Sequence, residues 1–103
     1  MIDISDENFK QDVEDAEGLV VIDLYAEWCT PCKMIAPHLE ALETELPHVK
    51  FGRINVDKEK DLAAIFHVSS IPMIAFVKNN VFLDFLVGYA DKTKLKEMIL
   101  EFI

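Results

Sequence analysis

Apolar and polar positions change their period several times along the chain, and each change predicts an element. Residues 1–4 form a short apolar start. Ser5 then fits a helix cap, followed by Asp6 and Glu7 in an acidic first turn and by Phe9 and Val13 on one face, with Gly18 as the stop. That helix is expected to end near Glu17. Residues 19–26 are rich in Val, Ile, Leu and Tyr without alternation, the pattern of a strand buried on both faces, broken only by Asp23. A second helix follows, with Pro31 suited to its first turn and Ile35, Leu39, Leu42 and Leu46 on one stripe; Pro37 removes a backbone donor and is expected to kink it.

Residues 49–56 predict a second strand, and Asp57 is a fitting cap for a helix carrying Leu62, Ile65 and Phe66. Two further strands, 73–78 and 81–87, flank Asn79-Asn80, whose tolerance of left-handed backbone suits a two-residue hairpin turn. Asp91 caps a last helix with Leu95, Met98, Ile99 and Phe102 at helical spacing. The order β-α-β-α-β-α-β-β-α predicts a three-layer α/β fold: a central mixed sheet with helices on both faces.

At 103 residues and 51% hydrophobic composition, the chain is read as one domain, 1–103, with a single core's worth of apolar residues. Nineteen acidic against ten basic side chains give a formal charge of −9, which disfavours binding to nucleic-acid phosphates. No apolar run approaches the roughly 18 residues of a membrane span, and the acidic start lacks the basic and apolar regions of a secretory signal. A reducing cytoplasm is the compartment this predicts.

The only two cysteines stand in Trp28-Cys29-Thr30-Pro31-Cys32-Lys33, a CxxC pair where strand gives way to helix. Such a pair is either redox-active or half of a metal site. Zinc usually takes four ligands, no second CxxC exists, and His38, His48 and His67 fall on different predicted elements without ligand spacing. A redox cysteine needs its thiolate stabilised and its sulfur reachable. Cys29 meets both conditions at a helix start, where unpaired N–H groups and the helix dipole favour negative charge; Cys32, one turn inside, is expected to be the less exposed. Asp23, an acid inside a strand read as buried, should have a raised pKa if unpaired. The histidines are read as surface or packing residues, and Met34, Met73 and Met98 as core filler.

The segment from Val21 through Lys33, Pro37, Asp23 in its strand, Ser70-Ile71-Pro72 and the closing stretch around Gly88 resemble the thioredoxin family, in order and over essentially the whole chain. The resemblance implies a thioredoxin fold and a general protein-disulfide reductase. It implies Cys29 as nucleophile, Cys32 as resolving thiol, Asp23 as proton acceptor for Cys32 through water, and Arg53 as the nearby basic residue where the family commonly has lysine. It also implies a cis bond before Pro72 and a substrate-docking rim of Trp28, Ile71, Pro72, Val87, Gly88 and Tyr89. No bound cofactor is expected. The expected partners are a flavin-dependent, NADPH-using thioredoxin reductase and disulfide-containing proteins, with the chain itself a monomer. Thr30, where the family usually has glycine, and Pro31 are the tuning dipeptide. They carry no charge to stabilise the thiolate, which predicts a reductant rather than an oxidase or isomerase of the same fold. A redox-independent binding or chaperone subunit is the other reading, and the intact CxxC, Asp23 and Pro72 weigh against it. Tyr89 is bulkier than the family's usual residue and is expected to reshape the rim.

Overall fold

A computed structural model describes residues 1–103. Strands β1 (Ile2–Asp3), β2 (Leu19–Tyr25), β3 (Lys50–Asn55), β4 (Met73–Lys78) and β5 (Val81–Val87) form one sheet in the order β1-β3-β2-β4-β5. β1 and β2 run parallel to β3, whereas β4 is antiparallel to β2 and β5 to β4. Helices α1 (Thr30–Glu45) and α3 (Lys92–Phe102) cover one face, and α2 (Lys60–Ile65) with a helical turn at Lys10–Glu14 covers the other. This is the expected three-layer arrangement.

The missing alternation in β2 has a direct cause, since both its faces are buried. Leu19 and Val21 pack beneath Ile35, Leu39 and Leu42 of α1 and Leu95 and Ile99 of α3. Val20, Ile22 and Leu24 point the other way, against Val13, Leu62 and Phe66. Asp23, on the α1 side, is therefore carried into the interior by the strand's own pleat.

Turn chemistry closes the rest. Asn79 and Asn80 take φ of 51° and 63°, both left-handed, and make the hairpin between β4 and β5. Asp91 caps α3 by accepting from Lys94 N at 2.9 Å. β5 is one edge of the sheet, and the two-residue β1 the other. The register slips at Phe76 and Val77, leaving Leu83 as a bulge, and the Asp84 carboxylate accepts from Phe85 N at 2.8 Å, so the edge is bent and charged where another strand would pair.

Three expectations are corrected. The first helix is only a wide turn at Lys10–Glu14, closed by Asp15 N donating to Lys10 O at 2.8 Å, and it stops short of Glu17. Ser5 and Asn8 satisfy each other's end of this turn, Ser5 N donating to Asn8 Oδ1 at 2.8 Å. Asp57 does not cap α2, whose first flanking residue is Glu59. Instead Asn55 Oδ1 accepts from both Asp57 N and Lys58 N and turns the chain out of β3. α1 continues through Pro37 as one helix. Met34 lies on the outer side of α1, 54% exposed, while Met73 is in the core and Met98 packs against it.

Candidate active site

Cys29 is the N-cap of α1. Its backbone is extended (φ −88°, ψ 110°), its carbonyl accepts from Lys33 N at 3.2 Å, and its Sγ accepts from Cys32 N at 3.3 Å. The cap sulfur thus already sits where a helix start offers N–H groups to an anion. Cys29 and Cys32, with Cα atoms 5.3 Å apart, are joined by a disulfide. In this closed form the two are buried alike, at 4% and 3% exposure, so the expected difference in access is absent. Tyr25, Val56 and Ile71 pack around the pair.

The Ile71-Pro72 bond is cis, as the family resemblance implies. Pro72 is buried, and its carbonyl accepts from Gly88 N at 2.8 Å, tying the end of β5 to the start of β4. Of the other residues expected to form the rim, Trp28, Val87 and Tyr89 are exposed, and Ile71 and Gly88 half-buried. Gly88 has φ +91°, while a Cβ there would meet nothing within 4 Å. Gly88→Ala is therefore expected to cost about 1–2 kcal/mol from backbone strain alone, without a clash, and urea unfolding measures it.

Two contacts were not foreseen. Trp28 Nε1 donates to Asp57 Oδ2 at 2.8 Å, which pins the 70%-exposed indole beside Cys29 and gives Asp57 a role other than capping. His38 of α1 lies at hydrogen-bond distance, 2.9 Å from its Nε2 to the Tyr89 hydroxyl, with the rings edge to face. Tyr89 is thus folded against α1. Each contact joins residues far apart in sequence, and no local pattern marks it.

Asp23 is 2% exposed, and its Oδ1 has no hydrogen-bond partner. Burial pushes its pKa up to about 7, against a smaller pull downward from Arg53. Arg53 is close, as expected, but its Nε donates to Asp3 Oδ1 at 2.6 Å, and its guanidinium carbon lies 5.5 Å from the Tyr25 ring centroid. Asp23 and Cys32 line one cavity of about 470 Å³ with Tyr25, Lys33, Ala36 and Arg53, large enough to admit water. No group of three or more His, Cys, Asp or Glu side chains is arranged to hold a metal ion.

A cysteine pair that closes over a helix start, with a buried carboxyl group lining the same cavity, can exchange two electrons with another disulfide; the class is thiol-disulfide oxidoreductase. Residues 1–101 match the family model described as Thioredoxin. The thioredoxin of Chlamydia pneumoniae is 45% identical over 96 residues, covering 93% of this chain and 92% of that protein. Those of Listeria monocytogenes and of Buchnera aphidicola from Schizaphis graminum are 35% identical over 102 residues and 34% over 100, covering 98% and 96% of this chain and 97% and 93% of their own lengths. The chain belongs to the thioredoxin family. It is a protein-disulfide reductase, drawing electrons from a reductase and passing them to disulfide-containing proteins.

Proposed function

We propose that reduction proceeds by two exchanges in a fixed order. The Cys29 thiolate attacks a substrate disulfide, forming a Cys29–substrate bond and releasing one substrate sulfur as thiolate. Asp23, through water in the shared cavity, takes the Cys32 proton. Cys32 then attacks Cys29 Sγ, closing the intramolecular disulfide and releasing the second substrate sulfur, so two electrons have passed to the substrate. The observation that carries this reading is the closed Cys29–Cys32 pair at the N-cap of α1. Trp28, Ile71, Pro72, Val87, Gly88 and Tyr89 serve as the docking rim for extended substrate chain, a reading supported by Ile71 packing against the cysteine pair and by Gly88 N donating to Pro72 O.

In this reading the chain holds no cofactor, and an NADPH-using, flavin-dependent thioredoxin reductase restores the dithiol. It works as a monomer, which the bulged and charged β5 edge favours. Its compartment is the cytoplasm; no helix is long and apolar enough to cross a membrane. The uncharged Thr30-Pro31 pair gives it a reducing potential, near the thioredoxin value of about −270 mV.

Insulin reduction coupled to thioredoxin reductase and NADPH tests the assignment. Steady NADPH oxidation that vanishes with Cys29→Ser is expected. A potential near the −120 mV of strong oxidants would replace the reductase reading with an oxidase, and a partner-binding activity surviving in the double serine variant would replace it with a structural role.

A further inference from the structure

The parallel pairing of β1, β3 and β2 sets three charged residues in one row across the sheet. Asp3 is in register with Arg53, and Arg53 with Asp23. Phe51 and Val21, two positions before Arg53 and Asp23 on their strands, both lie in the core under α1, so these side chains leave the sheet on that same face. One guanidinium therefore stands between two carboxylates. It bonds the outer one, Asp3, whose side chain is 76% exposed, and leaves the inner one with a bare Oδ1.

That choice has a physical reason. At Asp3 the guanidinium makes a charge-assisted bond while staying 41% exposed to water, and it lies over the Tyr25 ring. Turning inward to Asp23 would satisfy the buried acid at the cost of drying the cation. The other polar and charged groups around Asp23 offer no substitute. Cys32 and Lys33 come from α1, Glu27 and Tyr25 from the end of β2, and the Met1 amine from ahead of β1, where Glu43 of α1 already accepts from it at 3.0 Å. Arg53 is the charge whose field acts on Asp23.

We propose that Asp3 is a positioning residue: by holding the Arg53 guanidinium at the outer end of the row, it keeps Asp23 unpaired and available to take the Cys32 proton. This rests on the proton-acceptor role given to Asp23 above. The pair Asp3 and Arg53 is thereby a tuning device for the resolving step, built from side chains outside the CxxC.

The test uses the oxidised protein, in which neither cysteine titrates, and follows the Asp23 carboxyl carbon by NMR against pH. Asp3→Asn should lower the Asp23 midpoint by about half a pH unit or more, because the freed guanidinium can approach it. Arg53→Gln should raise the midpoint. In the Arg53→Gln background, adding Asp3→Asn should leave the midpoint in place. An unchanged midpoint in Asp3→Asn overturns the proposal, as does an equal fall in the Arg53→Gln background, which would make the effect a direct field of the Asp3 charge. In the reduced protein the pH profile of mixed-disulfide resolution should move with the midpoint. A midpoint that shifts while this profile stays still keeps the Asp3–Arg53 linkage and refutes Asp23 as the acceptor. Asp3 is exposed enough for the isosteric change to preserve the fold, which thermal unfolding of the variant verifies.

Discussion

Replacing Cys32 by serine is expected to turn the protein from a catalyst into a covalent trap. Cys29 keeps its cap position at α1 and still attacks, but the sulfur that resolves the adduct is gone. In the native chain that sulfur belongs to the next turn of the same helix, 5.3 Å away between Cα atoms, and the exchange is intramolecular. Well-oriented intramolecular groups act at effective concentrations of about 10⁵ M and above, whereas a competing external thiol is present at a few millimolar or less. Insulin turnover should therefore fall by at least about 10³-fold, with a substrate adduct on Cys29 visible by intact mass and lost on adding dithiothreitol. Cys29→Ser should give neither turnover nor adduct. The roles would be reversed if Cys29→Ser formed the stable adduct and Cys32→Ser did not. Exposure cannot assign these roles in the closed form, since both residues are equally covered. The cap geometry favours Cys29 as the attacking sulfur, because its Sγ receives a helix N–H, from Cys32 at 3.3 Å.

What could be read from the chain divides along a physical line. β4, β5 and the turn between them follow from local rules: Asn79 and Asn80 can take the left-handed backbone that a two-residue hairpin needs, so the apolar runs on either side must pair. The stripe Ile35, Leu39, Leu42 on α1 and the Asp91 cap are likewise local, and they stand as expected. Asp23 was conspicuous because one charge inside an unbroken apolar run on a central strand has few outlets. Contacts that depend on two distant segments left no such trace. The bond between Arg53 and Asp3 follows from the register of β1 on β3, fifty residues apart in sequence. Trp28 with Asp57, and His38 with Tyr89, are of the same kind. The sequence predicts too long a first helix because Asp6, Glu7, Phe9 and Val13 satisfy a helical pattern that the short turn at Lys10–Glu14 also satisfies. Its length is set by how much apolar surface the sheet leaves open there, a tertiary quantity.

Asp23→Asn is expected to yield a protein that is more stable above neutral pH and slower at its task. In the closed form the Asp23 pKa stands at about 7, against an ordinary value of 3.8, with burial as the leading cause. A raised acid favours the native state fully below its unfolded pKa, and that advantage is lost as pH rises through the folded one, because the native chain then holds a proton the unfolded chain has released. At about 1.4 kcal/mol per pH unit, the loss between roughly pH 4 and pH 8 is on the order of 4 kcal/mol. Urea unfolding of the oxidised protein should show this decline in the native chain and its absence in Asp23→Asn. The gain at pH 8 is smaller than the full figure, since an unpaired buried amide costs about 1–3 kcal/mol itself. Resolution of the mixed disulfide should slow by about 10²-fold near pH 7, the lower end of what a positioned proton acceptor contributes. The deficit should shrink at higher pH as hydroxide ionises Cys32 without help. A variant with the native pH slope would show that Asp23 is not the buried acid that costs stability, and one with the new slope but native resolution would leave its burial unexplained by catalysis. A flatter stability profile found together with a slower second exchange would show that the carboxylate is kept unpaired at a cost in stability because the same isolation leaves it free to accept the Cys32 proton.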